Sequence, residues 1–149
     1  MAAYEHTQHG KLHLVVWSAA LLSGVLGLAA ARAREGLVLS LTMALVLLAV
    51  GFAFRELTVR DAGDHLDVRF GPLPLFRATF RYAEMTDVAP GRTTFWQGWG
   101  IHGFPGRCWV YNIWGCDCVK FRLGAKKQIF VGTDDPAGLA AFLQGKAGK

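Results

Sequence analysis

The chain has 149 residues, enough for one ordinary domain and too few for two substantial ones. Hydrophobic residues make up 52% of it and the formal net charge is +5, and the apolar excess lies mostly before residue 55. That imbalance argues against a chain that is uniformly a water-soluble domain, and it divides the sequence into an apolar N-terminal third and a mixed remainder.

Residues 1–11 read as a polar tail, in which His6 and His9, with His13 just beyond, suggest a solvated juxtamembrane segment more than a metal site. Leu12 to Ala31 then runs for 20 residues without a formal charge, and Gly36 to Phe54 for another 19. A hydrocarbon core of about 30 Å takes roughly 20 residues at about 1.5 Å each, so both stretches predict transmembrane helices. Only Arg32, Ala33, Arg34 and Glu35 separate them, which requires an antiparallel hairpin over 12–54 with both ends on one side. Gly24, Gly27, Ser40 and Ala44 are small enough to line a close helix packing. A cleaved leader ending at Ala29, Ala30 and Ala31 fits less well, because the apolar run is too long and only Lys11 precedes it.

Orientation rests on two weak signals. Lys11, Arg55 and Arg60 flank the terminal side against Arg32 and Arg34 in the loop, and the odd set Cys108, Cys116 and Cys118 suits a reducing compartment. Both place the N-terminus and the C-terminal domain on the cytoplasmic face of a cell (inner or plasma) membrane, with the bilayer itself as the first partner.

From Arg55 onward short alternating runs are separated by turn residues, the pattern of an antiparallel β domain. Glu56 to Arg60 and His65 to Phe70 form a hairpin around Asp61 to Asp64, with Leu66, Val68 and Phe70 on the dry face and Asp67 and Arg69 on the other. Gly71 to Pro74 interrupts it, Leu75 to Arg81 resumes, and Met85 to Gly91 is an irregular fourth strand. After the connection Arg92 to Arg107 come Cys108 to Trp114, Asp117 to Leu123 and Lys127 to Val131, making seven strands. Asp134, Asp135 and Pro136 cap a helix over 135–145 that carries Leu139, Phe142 and Leu143 inward.

This order of elements, together with LDVRFGPLPLFR (Leu66 to Arg77), GWGI (Gly98 to Ile101) and VGTDDPAGLAAFL (Val131 to Leu143), resembles the bacterial membrane proteins that carry a pleckstrin-homology-like (PH-like) domain behind a two-helix hairpin. The resemblance implies an α+β membrane protein whose domain, 55–149, is a seven-stranded antiparallel split β-barrel capped by the C-terminal helix. It implies a non-catalytic binding or scaffold module without a cofactor. In eukaryotic relatives of that fold a basic loop after the first strand takes phosphoinositides. Here the loop carries Asp61 and Asp64, which repel a phosphorylated headgroup.

Gly98 to Gly103 has the G-x-G-x-x-G spacing of a dinucleotide loop, but Phe104, Pro105 and Gly106 extend it and no helix follows, so the phosphate reading fails on context. Its aromatics are the stronger signal. Trp99 and Ile101 are expected to plug the end of the barrel, whereas Phe95, Trp96 and Phe104, beside Arg92 and Arg107, form a candidate binding surface for a protein partner, a second copy of the chain or the membrane interface. Residues from Arg55 onward include thirteen basic and nine acidic side chains, an excess suited to an anionic leaflet; no nucleic acid is expected as a partner. The alternatives are a cysteine-based metal or redox protein built on Cys108, Cys116 and Cys118, and a small membrane transport component. The C-x-C spacing lacks a fourth ligand, Cys118 shares a strand face with Lys120 and Arg122 and is expected to be exposed, and neither span carries an internal charge.

Overall fold

The computed structural model describes residues 4–29, 34–73, 75–94, 98–104, 108–124 and 127–148. Among them two helices, α1 (Leu12–Ala29) and α2 (Arg34–Ala53), stand beside an α+β unit of two sheets and one helix. α1 and α2 are long and apolar enough to cross a membrane, and Leu21, Leu28, Leu39 and Leu45 leave more than 60% of their surface uncovered. The two helices pack on each other through small residues. A Cβ on Gly27 would stand 2.5 Å from Ser40 Cβ, and one on Gly24 would stand 4.0 Å from Ala44 Cβ. The Ser23 hydroxyl donates to the Ser40 carbonyl at 3.3 Å.

The described strands number nine rather than seven. One sheet has the order β1 (Glu5–His9), β2 (Glu56–Asp61), β3 (His65–Phe70), β4 (Phe76–Arg81), all antiparallel. The other has the order β5 (Met85–Arg92), β8 (Asp117–Leu123), β9 (Lys127–Gly132), β7 (Cys108–Asn112), β6 (Gly100–Phe104). A one-turn helix, Tyr82–Glu84, carries the chain from one sheet to the other.

Two of these strands correct the sequence reading. Part of the polar tail is β1, which pairs with β2 in the register Glu5 to Arg60 through His9 to Glu56. Part of the glycine-rich connection is β6, paired with β7 from Gly100 opposite Asn112 to Phe104 opposite Cys108. Two further corrections concern topology. β7 runs parallel to β9, so the second sheet is mixed, and the described strands form two separate sheets and no closed barrel.

The sheets share one core. Leu57, Val59, Leu66, Val68, Phe70 and Phe80 from the first sheet meet Met85, Val119, Phe121, Ile129 and Val131 from the second, and α3 (Pro136–Lys146) adds Leu139, Ala140 and Leu143. The alternation predicted for β3 places Leu66, Val68 and Phe70 in this core with no exposure. α3 begins where the sequence places its cap, shifted by one residue. The Asp135 carboxylate accepts from the Gly138 N–H at 3.0 Å, and Pro136 opens the helix where its missing donor costs nothing. At its far end Lys146 reaches the Asp61 carboxylate at 2.9 Å, and the Tyr82 hydroxyl donates to the other Asp61 oxygen at 2.9 Å.

Candidate functional site

The candidate site begins at the junction of helices and sheets. β1 leads into α1 and α2 leads into β2 with almost no linker, and the Gly10 N–H donates to the Arg55 carbonyl at 3.2 Å. The helical pair is therefore inserted between two hydrogen-bonded strands, and the first sheet grows directly from both helix ends.

Phe54 fixes the angle of that junction. Its ring stacks on Phe76 at 5.7 Å and meets Phe70 edge-on at 5.5 Å. Gly71, just past β3, has φ +78 and lies against the end of α2, where a Cβ would stand 2.7 Å from the Ala53 carbonyl oxygen and 2.8 Å from Ala53 Cα. Only glycine accepts both that conformation and that approach. The turn that follows exposes Leu73, Leu75 and Phe76.

The 98–102 segment borders the junction on another side. With Leu12, Val16, Val50 and Phe54 it encloses an open groove of about 500 Å³. Gly98 and Gly100 take φ +60 and +103, values that let the chain turn sharply into β6. Trp99 stacks on Trp114 at 4.6 Å, and its indole N–H donates to the Gly115 carbonyl at 3.1 Å. Thus Trp99 covers the 112–115 turn at the surface and remains 38% exposed, while Ile101 packs against the shared core. A smaller apolar pocket of about 130 Å³ opens between Thr94, Gly98, Trp99, Gly115 and Cys116.

That turn depends on Asn112, a buried residue not singled out in the sequence. Its side-chain amide donates to the Gly115 carbonyl at 3.0 Å, and its oxygen accepts from the Trp114 N–H at 3.2 Å. Gln8 on β1 donates to the Trp114 carbonyl at 2.9 Å, so the N-terminal strand braces the same turn.

Of the five candidate binding residues, Phe95, Trp96 and Arg107 lie outside the described residues. Phe104 ends β6, and Arg92 ends β5, where its guanidinium pairs with the exposed Asp117 at 3.1 Å. Both belong to the second sheet but sit on its two opposite edge strands, β6 and β5.

A second constellation occupies the outer face of the first sheet. Asp67 is fully buried there, with Arg60 Nε at 3.0 Å, Arg69 Nε at 2.6 Å and Arg77 Nε at 2.5 Å. Burial pushes its pKa up, but the hydrogen bonds from Arg77 and Arg60 and the charge of Arg69 outweigh that and hold it below the usual carboxylate range. Each arginine approaches the carboxylate through its guanidinium Nε, and the three side chains remain 38%, 26% and 46% exposed. Beside them Glu5, Glu56, Thr58, Arg60, Arg69, Gly71 and Pro72 line a polar groove of about 200 Å³. The sequence revealed only that Asp67 faces away from the apolar side of its strand.

The cysteines correct an expectation. Cys118 has no exposure, because Val110 and Phe130 close over it within their own small cluster. Burial and the neighbouring Asp117 push its thiol up to about 11, the opposite of an activated nucleophile. Among the described residues no group of three or more His, Cys, Asp or Glu side chains is placed to hold a metal ion. The tail histidines have carboxylate neighbours instead: His6 pairs with Asp134, and His9 lies 3.7 Å from Glu56. Comparison with known proteins gives no match for this chain among family models, curated sequences or solved structures.

Proposed function

We propose that this chain is a non-catalytic, membrane-anchored PH-like binding module. α1 and α2 cross a cell (inner or plasma) membrane as an antiparallel hairpin, the N-terminus and the α+β domain stand on the cytoplasmic side, and the domain lies close to the anionic leaflet. The 92–107 segment and its strand β6 face a protein partner or a second copy of the chain.

The observation that carries this reading is the strand-helix-helix-strand continuity at the junction. Pairing of β1 with β2 holds the two helix ends side by side, so a crossing pair returns the chain to the side it left. Leucines exposed around both helices would otherwise leave a large apolar surface in water. The alkaline, buried thiol of Cys118 gives the metal or redox alternative no support.

Two measurements test the proposal. Alkaline extraction of membranes should leave the full chain in the pellet, and reporter fusions at the two termini should both give the cytoplasmic signal; opposite signals would refute the hairpin. A photo-crosslinking amino acid at Trp99 should capture a discrete protein adduct in cells, and labelling of lipid alone would refute the partner reading.

A further inference from the structure

We infer that the connection between β3 and β4 is a lipid-dipping wedge: Leu73, Leu75 and Phe76 insert into the headgroup and upper acyl region of the leaflet that α2 leaves. The inference rests on the proposed crossing of α1 and α2 and adds a second, non-helical contact between the domain and the bilayer.

Exposure is the first observation. Leu73 and Leu75 leave 60% and 65% of their surface uncovered, the highest among the exposed large hydrophobic residues described outside α1 and α2, and Phe76 beside them leaves 40%. The Leu75 N–H donates to the Leu73 carbonyl at 2.7 Å, which holds the two leucines close together.

Depth is the second. Gly71 sits against the Ala53 backbone and Phe76 stacks on Phe54, so the turn lies level with the last turn of α2. A bilayer that accepts α2 as far as Ala53 reaches the same height as these side chains. The occupant is thereby fixed by continuity with the surface that the helices themselves bury.

Polarity along the sheet is the third. The opposite turn, between β2 and β3, is Asp61 to Asp64 and carries two carboxylates, whereas the turn at the helix base is apolar. Arg55, Arg69 and Arg77 lie within the first residue pairs above that base, where guanidinium groups meet lipid phosphates, with Glu56 and the buried Asp67 as the acidic groups among them. Apolar side chains flanked by arginine at one depth form the composition of a membrane interface.

Site-directed nitroxide labelling of the full chain in vesicles of phosphatidylethanolamine and phosphatidylglycerol tests this. The background carries Cys108→Ser and Cys116→Ser, with Cys118 buried beyond reach of the label. Labels replace Leu73 and Leu75 in turn, Leu45 as a mid-helix control and Glu84 as a control in the distal turn beyond β4. Positions 73, 75 and 45 should collide with oxygen more than with a water-soluble nickel complex, and position 84 should show the reverse. Water-like collision at 73 and 75 with lipid-like collision at 45 would overturn the wedge and leave the anchor standing. Water-like collision at 45 would overturn both.

Discussion

Replacing Asp67 with Asn keeps the shape of the side chain and removes the charge that three arginines share. At an effective dielectric of about 20, one unit pair near 4 Å is worth about 4 kcal/mol, which the partial exposure of the arginines reduces toward surface values of about 1 kcal/mol or less each. Against this stands the desolvation of a carboxylate with no exposure, several kcal/mol, which is already met in the folded state. Removing one partner of a buried ionic cluster typically costs about 3–5 kcal/mol, and because the three arginine side chains are partly exposed we expect the lower end, about 3 kcal/mol. For a domain of this size that lowers the melting temperature by roughly 10–20 °C. Thermal unfolding of the detergent-solubilised protein, followed by tryptophan fluorescence, reads the change. Each single arginine-to-alanine variant should lose clearly less, since two cations still neutralise the carboxylate. The folded pKa of Asp67 is depressed, so its contribution is fully present above the unfolded value of about 3.9 and is lost as pH falls through the lower folded value. The wild type should therefore soften in that acid range by an increment absent from the Asn variant. A loss under about 1 kcal/mol for Asp67→Asn, or an equal loss for Arg77→Ala alone, would refute the shared-charge argument.

Gly71→Val places a β-branched side chain at φ +78 and against the Ala53 backbone, and should cost about 3 kcal/mol; hydrogen exchange should show the loss concentrated in β3 and β4 at the helix junction. Gly27→Leu should separate α1 from α2, because Ser40 Cβ lies where the new Cβ must go; oxidation of a Ser23→Cys, Ser40→Cys pair reports it as a slower disulfide yield. Asp135→Ala removes the α3 cap and should destabilise the domain by about 1 kcal/mol in the same melt, with Asp134→Ala costing less. In the folded protein a thiol reagent should modify Cys108 and Cys116 and spare Cys118 until denaturant is added; early labelling of Cys118 would contradict its burial.

Elements whose signal is local were readable from the sequence alone. The apolar length of α1 and α2, the alternation of β3 and the Asp-Pro start of α3 all depend on residues within one element. β1 was invisible because its inward positions are His6 and Gln8, which meet Asp134 and the Trp114 carbonyl from other parts of the chain, so its alternation carries no apolar signal. β6 was hidden by glycine, yet Gly103 suits its place, since a Cβ there would stand 2.8 Å from the Trp109 ring on the paired strand and displace it. The burial of Cys118 was missed for a related reason. Lys120 on the same face lays its stem beside Gly91, and a face read as wet from its charged tips is dry at its base. The parallel pairing of β7 with β9 leaves no mark in either strand. Of the candidate site, the glycine turns at 98 and 100 were legible, whereas Asn112 and the arginine cover of Asp67 arise only from contacts distant in sequence.

The insertion of the helices between β1 and β2 constrains how the helical pair and the α+β domain move relative to one another. A domain joined to a helical pair by one flexible linker can swing, but here two adjacent strands enter the sheet from two adjacent helix ends, and Phe54 and Gly71 pack across the join. Rotating the domain on the helices would break the Gly10 to Arg55 hydrogen bond and lift Phe76 from Phe54. Tilting of the hairpin therefore carries the first sheet with it. β1 and β2 are the route, since Gln8 also holds the 112–115 turn on which Trp99 stacks. Separation of β1 from β2 would free the helix base and the Trp99 surface together. A variant that removes the Gln8 contact, Gln8→Ala, should thus loosen the turn under Trp99 without altering the packing of α1 on α2. Raised hydrogen exchange at Trp114 and Gly115 with unchanged exchange in β9 would show it, and unchanged exchange at Trp114 would show that Asn112 and Trp99 hold the turn without Gln8.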